Sequence, residues 1–190
     1  MRHPDHEYPA VFAEKSMCAP IEGSGVDASP ISHASGRYNA LITVGIAGML
    51  AGAVDIAQAL VTSGPRVLLL ISAGLLGPVA ASGGAGYHAL GLGLHFVIAL
   101  IFAAIYYFAS RILRFLIDYP ILCGLVYGVL VDLSMRLIVL PLSALHAKGP
   151  FPLSRLLIGI GVHMITVGLP ISFSIRALTL KSTGVGQLDG

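Results

Sequence analysis

Residues 120–143, PILCGLVYGVLVDLSMRLIVLPLS, decide the fold. The run is long enough to cross a bilayer, since about 20 apolar residues in a helix span roughly 30 Å of hydrocarbon, yet it carries Asp132 and Arg136 in its interior. Pro120 suits the first turn of a helix, where its missing N–H costs nothing. Gly124 and Gly128 form a G-x-x-x-G pair, which puts both glycines on one face and lets a second helix approach closely. Asp132 follows four residues after Gly128, on that same face, so the acid points into a bundle rather than at lipid.

Three further stretches have the same character: residues 40–63, 88–110 and 154–177. The first holds Asp55 three residues after Gly52 of a Gly48/Gly52 pair, the second His95 four after Gly91, and the fourth His163 four after Gly159, all same-face spacings. The expectation is an all-α, polytopic membrane protein with four transmembrane helices. Composition agrees: 56% of residues are hydrophobic and only 11% charged, against about 25% charged in soluble domains. A net charge of +2, with bases scattered at span ends, argues against nucleic acid as a partner. The partners implied are the lipid bilayer and, as an open alternative, further copies of this chain in a homo-oligomer.

Residues 64–86 are the ambiguous part. Val67 to Val79 is apolar but only about 13 residues long before Gly83, Gly84 and Gly86, which suits a short re-entrant or interfacial helix better than a crossing. Were it to cross with help from Ala80 to Ser82, the chain would have five spans. The remaining organisation is a polar tail at 1–37, rich in Pro, Ser, Gly and His and expected to be disordered, a bundle over 38–180, and a short C-terminal tail at 181–190. Histidines 3, 6 and 33 of the first tail are too scattered to read as a metal site. Cys18 and Cys123 read as unpaired.

Span ends carry aromatic residues, as the membrane interface favours: Tyr38, Tyr87, the Tyr106/Tyr107 pair and Tyr119. Ser154 is the expected N-cap of the fourth span. Arg37, Arg111, Arg114, Arg176 and Lys181 lie on one side, and Arg66, Lys148 and Arg155 on the other. Five bases against three place both termini in the cytoplasm by the positive-inside rule.

Asp55, His95, Asp132, Arg136 and His163 are the candidate buried polar layer. Counted at about 1.5 Å per residue from the Arg66 and Lys148 side, four of them fall roughly 10–14 Å deep and Asp132 a turn deeper. An unpaired charge there costs roughly 2.5–3.5 kcal/mol on the insertion scale, so the simplest reading is structural. Arg136 pairs with Asp132 at i, i+4, or with Asp55 across helices, and each histidine bonds a neighbouring helix. A second reading makes the layer a path for a proton or ion, with histidines that titrate at about pH 6.5 when unperturbed. A third has His95 and His163 ligating a haem or metal, for which no further ligands present themselves. A fourth makes Ser82, beside Gly83 and Gly84, a nucleophile, although a serine in a glycine-rich turn is ordinarily a turn residue. No G-x-S-x-G, H-E-x-x-H or phosphate-binding loop occurs in the chain. Catalysis and a bound cofactor are therefore not expected, and no catalytic, cofactor or metal residue is assigned.

Several runs carry a family likeness: Arg66-Val67-Leu68 with Ser72-Ala73-Gly74-Leu75-Leu76-Gly77, Leu94-His95-Phe96-Val97-Ile98-Ala99 leading to Tyr106-Tyr107, Leu140-Pro141-Leu142-Ser143, and Val162-His163-Met164. Over roughly residues 40–180 the chain resembles small bacterial inner-membrane proteins of the YagU-like kind. It departs from them in showing Ser-Ala-Gly where Ala-Ser-Gly is more usual, and in carrying Arg136. The resemblance implies a bacterial inner-membrane location and a four-span bundle. It brings no biochemical activity with it, so the role favoured on this reading is a structural or accessory membrane component, with a small oligomeric proton- or ion-coupled carrier as the alternative.

Overall fold

A computed structural model describes residues 30–146, 149 and 152–185, with side chains between 40 and 181. Residues 1–29 of the tail read at 1–37 therefore lie outside the described residues, as do Cys18, Lys148 and 186–190, while residues 30–37 belong to a helix. Among the described residues the protein is all-α and has no strand. Helix α1 runs Pro30–Ser63, α2 Arg66–Leu76, α3 Ala85–Ile112 and the single turn α4 Phe115–Asp118. Helix α5 spans Pro120–Leu142 and α6 spans Leu153–Lys181. Four segments, Ala40–Ser63 of α1 together with α3, α5 and α6, are long and apolar enough to cross a membrane. Lipid offers no hydrogen bonds, so a crossing chain has to satisfy its backbone internally, and the helix does that within one segment.

Helix α2 stays short. Its 11 residues fall well below the about 20 that a crossing needs, so the five-span alternative fails on length. Gly77, at φ +78°, takes a backbone conformation that side chains resist and ends the helix, and a 3₁₀ turn over Pro78–Ser82 leads towards α3. What holds α2 is contact with α3: the Leu68 backbone lies against Gly91, in space that a β-carbon would fill, and Ser72 and Ala73 are fully buried. Its far end is tied to the chain beyond α5, where the Ala144 N–H donates to the Gly74 carbonyl at 2.8 Å.

The long helices meet through glycine. Gly48 faces Leu100 and Gly52 faces Phe96 and Ala99, an antiparallel register of α1 on α3. Gly124 faces Gly168 and Ser172, and Gly128 faces Met164, an antiparallel register of α5 on α6. At Gly124 and Gly168 the two backbones touch with no side chain between them. Since lipid tails are as apolar as Leu, this close packing supplies association that burial alone cannot. The core it encloses holds Ala47, Ala51, Ala103, Tyr106, Tyr107, Val131, Val167, Ile171 and Ile175. Leu41, Ile101, Leu137 and Ile165 face outward, as lipid-solvated side chains should.

Two expectations about span ends are corrected. Tyr106 and Tyr107 do not belong to an interfacial belt: they are 1% and 9% exposed and sit in the core. The Tyr106 hydroxyl donates to the Leu116 carbonyl of α4 at 3.0 Å, and its ring meets Tyr127 edge to face at 4.9 Å. Tyr127 in turn donates to the Phe102 carbonyl at 2.6 Å. A tyrosine whose hydroxyl finds a carbonyl inside the bundle has no need of the interface. Ser154 does not cap α6. The helix starts one residue earlier, at Leu153, behind the extended Pro152, and no side chain caps it.

The glycine crossings predict a contrast. Gly168→Ala would drive a β-carbon into the Gly124 backbone and is expected to lower stability by about 1–3 kcal/mol, the usual range for overpacking. Gly93→Ala in α3, which meets nothing within 4 Å, is expected to change it by less than about 0.5 kcal/mol. Thermal unfolding in mild detergent, followed by size-exclusion recovery, measures both.

Candidate buried polar site

The five ionisable residues form two clusters on either contact face of α6. In the first, Asp132 of α5 is 1% exposed and has both oxygens engaged. Arg136 Nε donates to Oδ2 at 2.7 Å and Nη2 to Oδ1 at 3.3 Å, a two-point grip between residues one helical turn apart. Arg136 Nη2 also donates to the Arg155 carbonyl of α6 at 3.3 Å. His163 Nδ1 lies 3.1 Å from Asp132 Oδ1 and 3.0 Å from the Gly159 carbonyl. A carbonyl only accepts, so Nδ1 carries the hydrogen and shares it between the two. Arg136 thus takes Asp132 as its acid, and not Asp55, of the two partners that sequence left open.

Gly159 makes room for this. A β-carbon there would meet the Arg136 guanidinium and lie 2.8 Å from Asp132 Oδ1. The sequence pattern marks Gly159 only as a same-face neighbour of His163; its place in the fold is the hole that receives a cation.

The second cluster joins three helices. Asp55 of α1, with 15% of its side chain exposed, has Oδ2 at 3.9 Å from His95 Nε2 of α3. That Nε2 lies 3.0 Å from the Gly52 carbonyl, so it too carries a hydrogen. The Asp55 Oδ1 meets the Thr166 hydroxyl of α6 at 2.6 Å. Thr166 Oγ1 is also 2.9 Å from the Val162 carbonyl, one turn earlier in its own helix. Every buried side-chain nitrogen or oxygen among the described residues has a hydrogen-bond partner.

Thr166 is the member that sequence reasoning misses. A threonine within a span is ordinary, and only tertiary structure puts this one against Asp55. The local cause is a π turn: α6 widens over Met164–Gly168, directly after His163. An added residue in the turn rotates the later part of the helix about its axis, so that His163 serves α5 while Thr166 serves α1. Helix α5 has a matching π turn over Met135–Val139, which contains Arg136. Such turns are frequent at functional sites, and nothing in the hydrophobic pattern announces them.

Other candidates fall elsewhere. His95 and His163 sit in different clusters, each with one ring nitrogen on a backbone carbonyl. Among the described residues no group of three His, Cys, Asp or Glu side chains is gathered as metal ligands would be. The Ser82 hydroxyl donates to the Val79 carbonyl at 2.6 Å, closing its own turn. Cys123 lies 3.5 Å from the Phe115 carbonyl and is free.

Removing one member of the closed pair should expose its role. Arg136→Met leaves Asp132 without its cation and is expected to cost about 3–5 kcal/mol, the range for a broken buried pair. The double variant Asp132→Leu with Arg136→Met is expected to regain most of that loss, because no charge then needs a partner. The same unfolding measurement in detergent decides.

No family model, no curated protein and no solved structure matches the chain.

Proposed function

We propose that this multi-pass protein is a structural or accessory component of the bacterial inner membrane, with both termini in the cytoplasm. The observation that carries the reading is the closure of the Asp132 cluster. A carboxylate that is 1% exposed and gripped at both oxygens by Arg136 and His163 holds α5 to α6 through partners within the protein. The likeness to YagU-like proteins and the excess of bases on the side of both termini support the location. The hydroxyl of Ser82, turned onto its own backbone, supports a role without catalysis.

A carrier would behave differently, and liposomes separate the two. Purified protein reconstituted with a pH-sensitive dye inside is expected to pass protons and alkali cations no faster than protein-free vesicles. Flux above that background which disappears in a folded Asp55→Asn variant would overturn the structural reading and install the carrier in its place.

A further inference from the structure

The Thr166 hydroxyl has one hydrogen to give, and two oxygens stand in position to receive it: Asp55 Oδ1 at 2.6 Å and the Val162 carbonyl at 2.9 Å. The carbonyl can only accept. With Asp55 ionised, both neighbours are acceptors and have to share that one hydrogen. A proton on Asp55 Oδ1 gives each contact a hydrogen of its own, because Asp55 then donates to Thr166 and Thr166 donates to Val162.

Charge points the same way. Helix α5 brings Asp132 and Arg136, which neutralise each other at 2.7 Å. Helix α6 brings His163, whose Nδ1 is held by Gly159 and Asp132, and Thr166, which has no charge. Helix α1 brings Asp55, and α3 brings His95. Among the described residues His95 is the one basic side chain within 4.0 Å of Asp55, and at 3.9 Å its Nε2 is outside hydrogen-bond reach. No permanent cation is paired with Asp55 among the described residues, and an uncompensated carboxylate within a span is costly.

We propose that Asp55 is a proton-binding site inside the membrane, occupied in this arrangement, with Thr166 and the Val162 carbonyl forming the hydrogen-bond chain that holds the proton on Oδ1. On release the O–H bond of Asp55 breaks and the proton leaves to water. The Thr166 hydrogen turns from Val162 to Asp55 Oδ1, and the Nε2–H of His95, 3.9 Å from Oδ2, is the next positive dipole to the new carboxylate. Uptake reverses each step. The site goes beyond the structural role proposed above and does not depend on it.

Infrared spectroscopy of the full-length protein in lipid nanodiscs tests this, because a protonated carboxyl has a C=O stretch that an ionised one lacks. The wild type is expected to show one such band within about pH 5 to 8, where few ordinary carboxyls remain protonated. The band is expected to be lost in Asp55→Asn, displaced in Asp55→Glu, unchanged in Asp118→Asn at the exposed end of α4, and moved to higher frequency in Thr166→Val as the O–H loses its acceptor. Helical circular dichroism and size exclusion check each fold, and should Asp55→Asn not fold, Asp55→Glu still assigns the band by its displacement. A folded wild type with no carboxyl band in that range, or a band indifferent to both changes at Asp55, overturns the proposal. The band reports the proton site and the flux reports the function, so each can fail alone.

Discussion

A polar group in hydrocarbon has to find its partner inside the chain, and the interior of this bundle is organised by that requirement. Helix α6 meets it in two directions. His163 and the Arg155 carbonyl turn to the Asp132–Arg136 pair of α5, and Thr166 turns to Asp55 of α1. The π turn between them lets one helix serve both, since three residues of ordinary α-helix would leave the two side chains closer to a single face. Backbone contact at Gly124, Gly128 and Gly168 brings α5 near enough for the pair to form, and Gly159 leaves the hole that the guanidinium enters.

Much of the fold was legible in residue order because hydrophobic length is a strong signal in lipid. The four spans, the short α2 and the two G-x-x-x-G faces come from counting apolar residues and noting where glycine recurs. The span ends were read less well. Tyr106 looks like an interfacial aromatic in sequence, and its burial depends on the Leu116 carbonyl of a turn that only the folded chain presents. Ser154 looks like a cap, and the helix starts at Leu153 behind Pro152, two residues too early for it.

The polar residues were legible as a set but not as an arrangement. Spacing from glycine put Asp55, His95, Asp132, Arg136 and His163 on contact faces, and depth placed them near one level. It could not choose which acid Arg136 takes. Nor could it find Thr166, since a π turn alters helical register without any change in composition. The division into one charge-neutral cluster and one without a permanent cation is a property of three-dimensional pairing alone.

That division also bears on why a charged pair persists where apolar side chains would pack at no greater cost. Replacing a buried ion pair by hydrophobic residues is often neutral or stabilising, so Asp132 and Arg136 are not needed for stability as such. In lipid, however, apolar helix faces discriminate poorly between registers, because a slide of one turn exchanges one Leu or Val contact for another. The Asp132 cluster does discriminate. Shifting α6 by a turn against α5 would take Gly159 from beneath the Arg136 guanidinium, remove the Arg155 carbonyl from Nη2 and part His163 from Oδ1. It would leave Asp132, 1% exposed, with Arg136 of its own helix as its remaining partner, and the guanidinium without the hole that receives it. The same register sets Thr166 beside Asp55. The contacts of α6 with α5 on one face thereby bear on where a hydroxyl on its other face stands.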